Sequence, residues 1–321
     1  MPDLLKRYLQ MYWLKPFDAV NDAANARALL GFPWQEPILE IGGGDGAFSF
    51  IMHGGEFAPG DDRYDQVDPS RQGDMFDVHD GARTPRVNRP ASLRYQVGVD
   101  LKLSHLLKCK STGLYKHLVQ AAPAPLPLRT NSFRTVFLYF PHGLIERGAR
   151  LNYQATLAEI RRVLHPDGVL LMLAMNENVR SAFVCHPLAG LLERAGWTRA
   201  ARYFRRLDAG RCDEIGGVAL SLGAWNSLLT QSGFELLAAT TQVSQLAWRM
   251  YDVQTRPFLR SLIAMNRHAH RAGVKPVIKM LSVTAWAPVL RLWYWLFARP
   301  RRASLDTAST GMVFAFKAAT R

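Results

Sequence analysis

PILEIGGGDGAFSFI, running from Pro37 to Ile51, decides how the rest of this chain is read. Pro37–Ile41 is a short apolar run of the kind that forms a buried strand. It runs straight into Gly42-Gly43-Gly44-Asp45-Gly46, and Ala47–Ile51 then reads as the start of a helix. A strand, a glycine turn and a helix start together open a nucleotide-binding α/β unit. Gly42, Gly44 and Ala47 satisfy G-x-G-x-x-A, while Gly42, Gly44 and Gly46 satisfy G-x-G-x-G with the acidic Glu40 at the strand end. Either spacing alone is also what an ordinary tight turn produces.

Downstream, the sequence alternates between strand and helix patterns. LRYQVGVDL (residues 93–101) reads as a second strand, with a helix from about Ser104. Strands follow around His117–Ala122 and over Arg134–Phe140. LNYQATLAEIRRVL (151–164) has the apolar spacing of an amphipathic helix, ended by His165-Pro166-Asp167-Gly168, and Val169–Ala174 is a fifth strand. Such alternation argues for a parallel sheet covered on both faces. Beyond residue 178 the pattern is more helical. Ser221–Gly233 reads as a capped helix stopped by glycine, and strands are expected at Phe234–Ala239 and Gly311–Ala318. Upstream, residues 1–31 read as an amphipathic helical segment. Residues 53–93 break the rhythm: they are rich in Gly, Pro, Asp and Arg, and carry Asp61, Asp62, Asp65, Asp68, Asp74, Asp77 and Asp80. No calcium-loop spacing is present, so a solvated insertion and no metal site are expected.

A dinucleotide site asks for an acidic residue roughly 20 positions past the glycines, and Asp68 stands about there, inside the insertion. Asp100, by contrast, ends the convincing strand YQVGVD. LEIGGGDGAF, VGVDL, LPLRTNSFRTVFL, LAEIRRVLHPDGVLLM and LGAWNSLLTQSGFELL follow one another in an order that resembles class I S-adenosylmethionine-dependent methyltransferases. The similarity covers about residues 36–178, and more loosely 221–240 and 311–318; the chain also resembles methyltransferases found among bacterial cell-envelope and natural-product enzymes. The resemblance implies an α/β, Rossmann-like sheet of about seven mostly parallel strands, the last antiparallel, with a helical lid. It also implies S-adenosylmethionine as cofactor. Gly42, Gly44 and Gly46 would let the methionine portion lie against backbone, and free amides at the next helix start would meet its carboxylate. Glu40 would hold the amino-acid end, directly or through water, and Asp100 would accept from the ribose hydroxyls. Asp100 has a plainer reading as a helix cap. Relatives often carry an acidic residue where Ala122 stands and an Asp where Arg134 stands. Adenine would therefore contact backbone near Ala121–Pro123, Ala122 included.

Methyl transfer from a sulfonium is an in-line displacement, so alignment and exclusion of water do most of the work. An acceptor hydroxyl would also need a base. His142, in LYFPH, stands where relatives place substrate-facing residues and titrates in the right range, although a loop hydrogen bond would equally explain it. Tyr139 would shape the methyl cavity or pack in the core. His186 lies in the variable lid, and Arg199–Arg211 reads as a phosphate or carboxylate contact or as a solvated helix face.

The whole chain of 321 residues carries 40 Lys+Arg against 26 Asp+Glu, a net charge of +14 that calls for an anionic partner. Its 3 cysteines are too few and too scattered for a disulfide framework or a zinc site, which suits a reducing cytoplasm. No secretory signal pattern and no clean membrane span are present. KPVIKMLSVTAWAPVLRLWYWLFARPRR (275–302) sets Trp286, Trp293, Tyr294, Trp295 and Phe297 between basic ends, with Pro288 expected to break the segment. It reads either as an interfacial element on anionic lipid or as a buried helix pair or oligomer interface. With no compact nucleic-acid module, nucleic acid ranks last as a partner. The expected organisation is a helical segment over 1–35, a cofactor-binding core over 36–178, lid and sheet end over 179–265, and a basic aromatic tail with the last strand over 266–321. Methylation at oxygen of a small-molecule or lipid-linked acceptor, at the inner membrane face, is the leading reading. An NAD-type oxidoreductase using Asp68, and a degenerate fold serving as a membrane-associated binding protein, are its rivals.

Overall fold

The computed structural model describes residues 2–68, 70, 75–139, 152–216, 219–255, 259–302 and 309–319. Two helices, α1 (Pro2–Met11) and α2 (Pro16–Leu29), precede the first strand β1 (Ile38–Ile41), the glycine turn and a short helix α3 (Ala47–Met52). Then come β2 (Tyr95–Asp100), α4 (Leu103–Thr112), β3 (Tyr115–Gln120), β4 (Phe133–Tyr139), α5 (Tyr153–Val163) and β5 (Leu164–Asn176). The remainder is α6 (Cys185–Arg194), α7 (Thr198–Gly216), α8 (Leu222–Gln231), β6 (Phe234–Ser244), α9 (Gln245–Thr255), α10 (Leu259–Arg271), α11 (Lys275–Trp293) and β7 (Ser309–Ala318).

These seven strands lie side by side in the order β3-β2-β1-β4-β5-β7-β6, and two-residue strands beside β5 and β6 make nine among the described residues. Pairing is parallel from β3 through β5. β7 runs antiparallel to both its neighbours. The sheet is therefore Rossmann-like, mostly parallel, with one long antiparallel strand inserted before its far edge. From β1 the chain moves out to β2 and β3, then returns to β4 on the opposite side of β1. The carboxyl end of β1 is thus the point where strand order reverses, and open α/β sheets place ligands in that crevice.

Alternation along the strands divides the core in two. Leu170, Met172 and Ala174 of β5, with Met312, Phe314 and Phe316 of β7, face Leu157 and Ile160 of α5 and Trp225 of α8. Leu171, Leu173, Val313 and Ala315 face the other way, toward α1, α2 and α3. Phe314 and Phe316 are fully buried, a contribution of about 1.5–3 kcal/mol each. Local signals set the helix ends: the Asn152 side chain accepts from the Ala155 amide to start α5, and the Ser221 hydroxyl accepts from Ala224 to start α8.

Two expectations are corrected, and one reading left open is narrowed. The insertion over 53–93 is not simply solvated, because Asp62 is completely buried. Asp62 accepts from the Trp13 indole at 2.7 Å and sits 3.0 Å from the Lys275 ammonium, while Asp65 pairs with the same lysine. The aromatic tail is mostly turned inward. Trp286 and Trp293 meet Phe17 edge-on at 6.1 and 5.3 Å, and Tyr294 is buried; Trp295, at 58% exposure, is not. Pro288 does not divide the segment, since α11 runs through it and continues as a π turn over Tyr294–Ala298. No helix among the described residues is long and apolar enough to cross a membrane.

Candidate functional site

The glycine turn caps the carboxyl end of β1 and is tied sideways to β2, where the Gly42 amide donates to the Val99 carbonyl at 2.8 Å. Gly44 has a φ of +60°, and a Cβ built there would meet nothing within 4 Å. Its left-handed backbone therefore leaves open space above the turn, which is what a ligand lying against backbone needs. Gly46 differs. At φ +74° its Cβ would come within 3.0 Å of the Cys109 sulfur, so here glycine permits close packing of the turn against α4.

Asp100, at the end of β2, reaches the turn. Its Oδ2 accepts from the Gly44 amide at 3.2 Å and its Oδ1 from the Lys102 amide at 2.9 Å. His105 Nδ1 lies 3.3 Å from Oδ1. The carboxylate is only 2% exposed, and each oxygen keeps capacity for a further donor. Ala121 donates to the Asp100 carbonyl at 3.2 Å, which brings the exposed Ala122 alongside at the end of β3. From the insertion, Asp77 pairs with Ser104 and lies 3.7 Å from Lys102, at the entry of α4.

Glu40 sits on the other side of the turn. Its two oxygens accept from the Ser49 hydroxyl at 2.7 Å and from the Tyr115 phenol at 2.6 Å. Burial pushes its pKa up to about 7, against the opposing effect of those two hydrogen bonds. The structure turns Glu40 beneath the loop, where it braces Gly43 against α3 and β3; it does not reach into the space above. One of the amides expected to be free at the helix start is engaged. α3 has only 6 residues, and its Ala47 amide goes to Asp45 at 3.1 Å.

Tyr139, closing β4, rests against Phe48 of α3 at 4.9 Å and Phe137 at 6.0 Å. His142 lies outside the described residues. His186 is exposed on α6, and Arg205 of the arginine-rich helix pairs with Glu193. Asp68 is found in the insertion, holding a turn through Ser70, whereas the strand beside β1 ends at Asp100. Asp68 therefore does not stand at the end of a strand beside the glycine turn. No group of three or more potential metal ligands occurs among the described residues.

One cluster escaped the sequence reading. The Arg63 guanidinium lies 5.0 Å over the Tyr12 ring, 4.5 Å over the Phe76 ring and 3.5 Å from the Asp45 carboxylate of the glycine turn. Asp22 of α2 accepts from Tyr12, and burial pushes its pKa up to about 7. The residue after α1, together with α2 and the insertion, thus brings an arginine, a tyrosine and a carboxyl of raised pKa to the loop. No motif announces them, because their positions span residues 12 to 63 and none has a repeating spacing.

No family model and no curated protein matches the sequence. Among solved structures, a SAM-dependent methyltransferase from Thermotoga maritima is similar at 9% identity and a TM-score of 0.48, covering 98% of this chain and 97% of that one. A SAM-dependent methyltransferase from Geobacter sulfurreducens in complex with S-adenosyl-L-homocysteine is similar at 13% identity and a TM-score of 0.41, covering 93% and 90%. At such scores the likeness carries no argument about activity, which rests on the site itself.

Proposed function

We propose that this chain transfers a methyl group from S-adenosylmethionine to a small-molecule or lipid-linked acceptor, at oxygen. The observation that carries the reading is the meeting of Asp100 and Gly44 at the carboxyl end of β1, within 3.2 Å. An acidic side chain at the end of the neighbouring strand, beside an open glycine turn at the switch point, is a donor set suited to a ribose joined to an amino acid.

The residues present fit that cofactor. Asp100 has acceptor capacity left for the ribose hydroxyls, and no atom lies within 4 Å of where a Gly44 side chain would begin, the place the methionine portion would take. Gly42 and Gly46 keep the turn low, Glu40 holds it from beneath through Ser49 and Tyr115, and the Ala121–Pro123 backbone supplies a surface for adenine. When bound, S-adenosylmethionine supplies an electrophilic methyl group on a sulfonium. The chain aligns the acceptor, excludes water and, for a hydroxyl acceptor, takes up its proton. We assign that proton to His142, in the stretch that follows β4 in the sequence.

A second reading has one specific observation behind it. Asp100 is almost fully covered and already engaged by two amides, as a binding scaffold without catalysis would also show. Titration calorimetry with S-adenosylmethionine, S-adenosylhomocysteine and NAD separates the cases. Binding of the first two supports the proposal; tight binding of NAD alone overturns it, and binding of none selects the scaffold.

A further inference from the structure

α11 is built inside out. Its buried side carries two lysines, Lys275 and Lys279, each 2% exposed and paired with the insertion. Lys279 also donates to the Asp61 carbonyl at 2.7 Å. Its outer side carries Val277, Met280, Leu281, Val289 and Leu292, continued by Trp295 on the π turn, every one of them more than half exposed. At 100° per residue Val277, Leu281, Leu292 and Trp295 fall within one narrow sector, with Met280 and Val289 at its flanks. The stripe is about 27 Å long, at 1.5 Å per residue. A largely apolar face of this kind, with the exposed Arg291 on the same side of the helix, marks an interaction surface.

Charge says what covers it. From residue 253 to 305 the chain has no Asp or Glu and 10 Lys or Arg, of which Lys275 and Lys279 are turned inward. Arg291 and Arg299 are exposed along this element, and the Arg299 guanidinium lies 5.3 Å from the Trp295 ring centroid. A second copy docking through the same face would bring two acid-free, cationic surfaces together, because a two-fold interface pairs a patch with itself. An anionic bilayer offers both things the face lacks, an apolar layer and negative headgroups at its rim.

We propose that the outer face of α11 and its π turn lies in the surface of an anionic membrane, with Val277, Met280, Leu281, Val289, Leu292 and Trp295 entering the acyl boundary and Arg291 and Arg299 at the headgroups. The inward lysines anchor this helix to the insertion, and Arg63 of that insertion pairs with Asp45 of the glycine turn. The lipid-facing helix is thus joined to the candidate site through the insertion. Vesicle binding needs no cofactor, so this inference and the methyl-transfer reading fail separately.

The test is co-flotation of the full chain with phosphatidylcholine vesicles, with and without phosphatidylglycerol, at low and high salt. The parent floats with the anionic vesicles and is released by salt. Leu281→Gln, Leu292→Gln and Trp295→Gln combined lower the partition coefficient by about tenfold or more, as three large apolar groups no longer insert. Because all three are exposed, the melting temperature is retained. Arg291→Glu with Arg299→Glu leaves the apolar face whole and removes the preference for anionic lipid. Failure to float with anionic vesicles at low salt overturns the proposal, as does undiminished flotation of the triple variant. A dimer in sedimentation that the triple variant converts to monomer, with no vesicle binding by the parent, assigns the face to a second copy instead.

Discussion

The Gly44 amide and the Asp100 carboxylate meet across 3.2 Å, joining the turn after β1 to the end of β2. The bond shows that two residues 56 positions apart share one site. A ligand whose hydroxyls reach Asp100 comes in beside this bond or in place of it.

Asp100→Asn should therefore weaken S-adenosylmethionine binding by about 1–3 kcal/mol, the scale for a hydrogen bond to a charged group that loses its charge. Calorimetry on a variant with an unchanged melting profile checks this. Equal affinity in parent and variant would remove Asp100 from the site.

Gly44 and Gly46 should respond differently to alanine. Both positions are left-handed and cost backbone strain of about 1–2 kcal/mol with an L side chain. Only Gly46 adds a contact, at 3.0 Å from the Cys109 sulfur and 3.2 Å from the Tyr115 ring. Gly46→Ala is expected to lower the melting temperature the more. Gly44→Ala, whose new methyl points into open space, is expected to lower cofactor affinity more than stability. Denaturant titration beside calorimetry distinguishes the two, and matching profiles would refute the contrast.

Breaking the buried ion cluster should be costly. Asp62→Ala leaves Lys275 and Lys279 buried beside a vacated carboxylate, a loss of about 3–5 kcal/mol. Asp62→Asn with Lys275→Met removes the leading pair together and should recover a large part of that loss. Urea unfolding of both variants measures it; a double variant no more stable than Asp62→Ala would show that the pair is not the source.

Glu40 gives stability a definite pH dependence. Folding raises its pKa from 4.5 to about 7, so the folded chain holds a proton that the unfolded chain has released. The contribution is complete below 4.5 and is lost as the pH rises through about 7, a change of about 3 kcal/mol. Asp22, raised from 3.8 to about 7, acts in the same direction. His53 opposes both: burial lowers its pKa from 6.5 to about 4, so its contribution is lost as the pH falls through that range. Glu40→Gln isolates one component, because the amide stays neutral. The parent should lose stability relative to this variant between about pH 5 and 7, and a difference independent of pH would contradict the assignment.

The site's centre was legible because its signals are local. Pro37–Gly46 reads as strand and glycine turn, and YQVGVD reads as a strand ending in an acid, each from a few neighbouring residues. Glu40 was legible in position but not in direction, since the strand's pleat and the Ser49 and Tyr115 partners decide which way it faces. The insertion misled for a physical reason. Its density of Asp, Gly and Pro is what solvated loops have, while the lysines that neutralise Asp62 and Asp65 stand over 200 residues away on α11. The tail left two readings open, because its spacing alone does not say which residues a distant element covers: Phe17 holds Trp286 and Trp293 inside, while the aliphatic side and Trp295 stay exposed.

By itself, then, the amino-acid order determined the alternation of strands and helices, the glycine turn at the end of β1 and the acid at the end of β2, all properties of short stretches with a period of 2 or about 3.6 residues. Tertiary structure alone decided that Asp22, Tyr12 and Arg63 gather at the loop, that Lys275 and Lys279 point inward, and that the aliphatic side of α11 is left uncovered. Those outcomes depend on which distant surfaces meet. A charge is buried only where its partner arrives, and an apolar face stays exposed only where nothing in the chain reaches it.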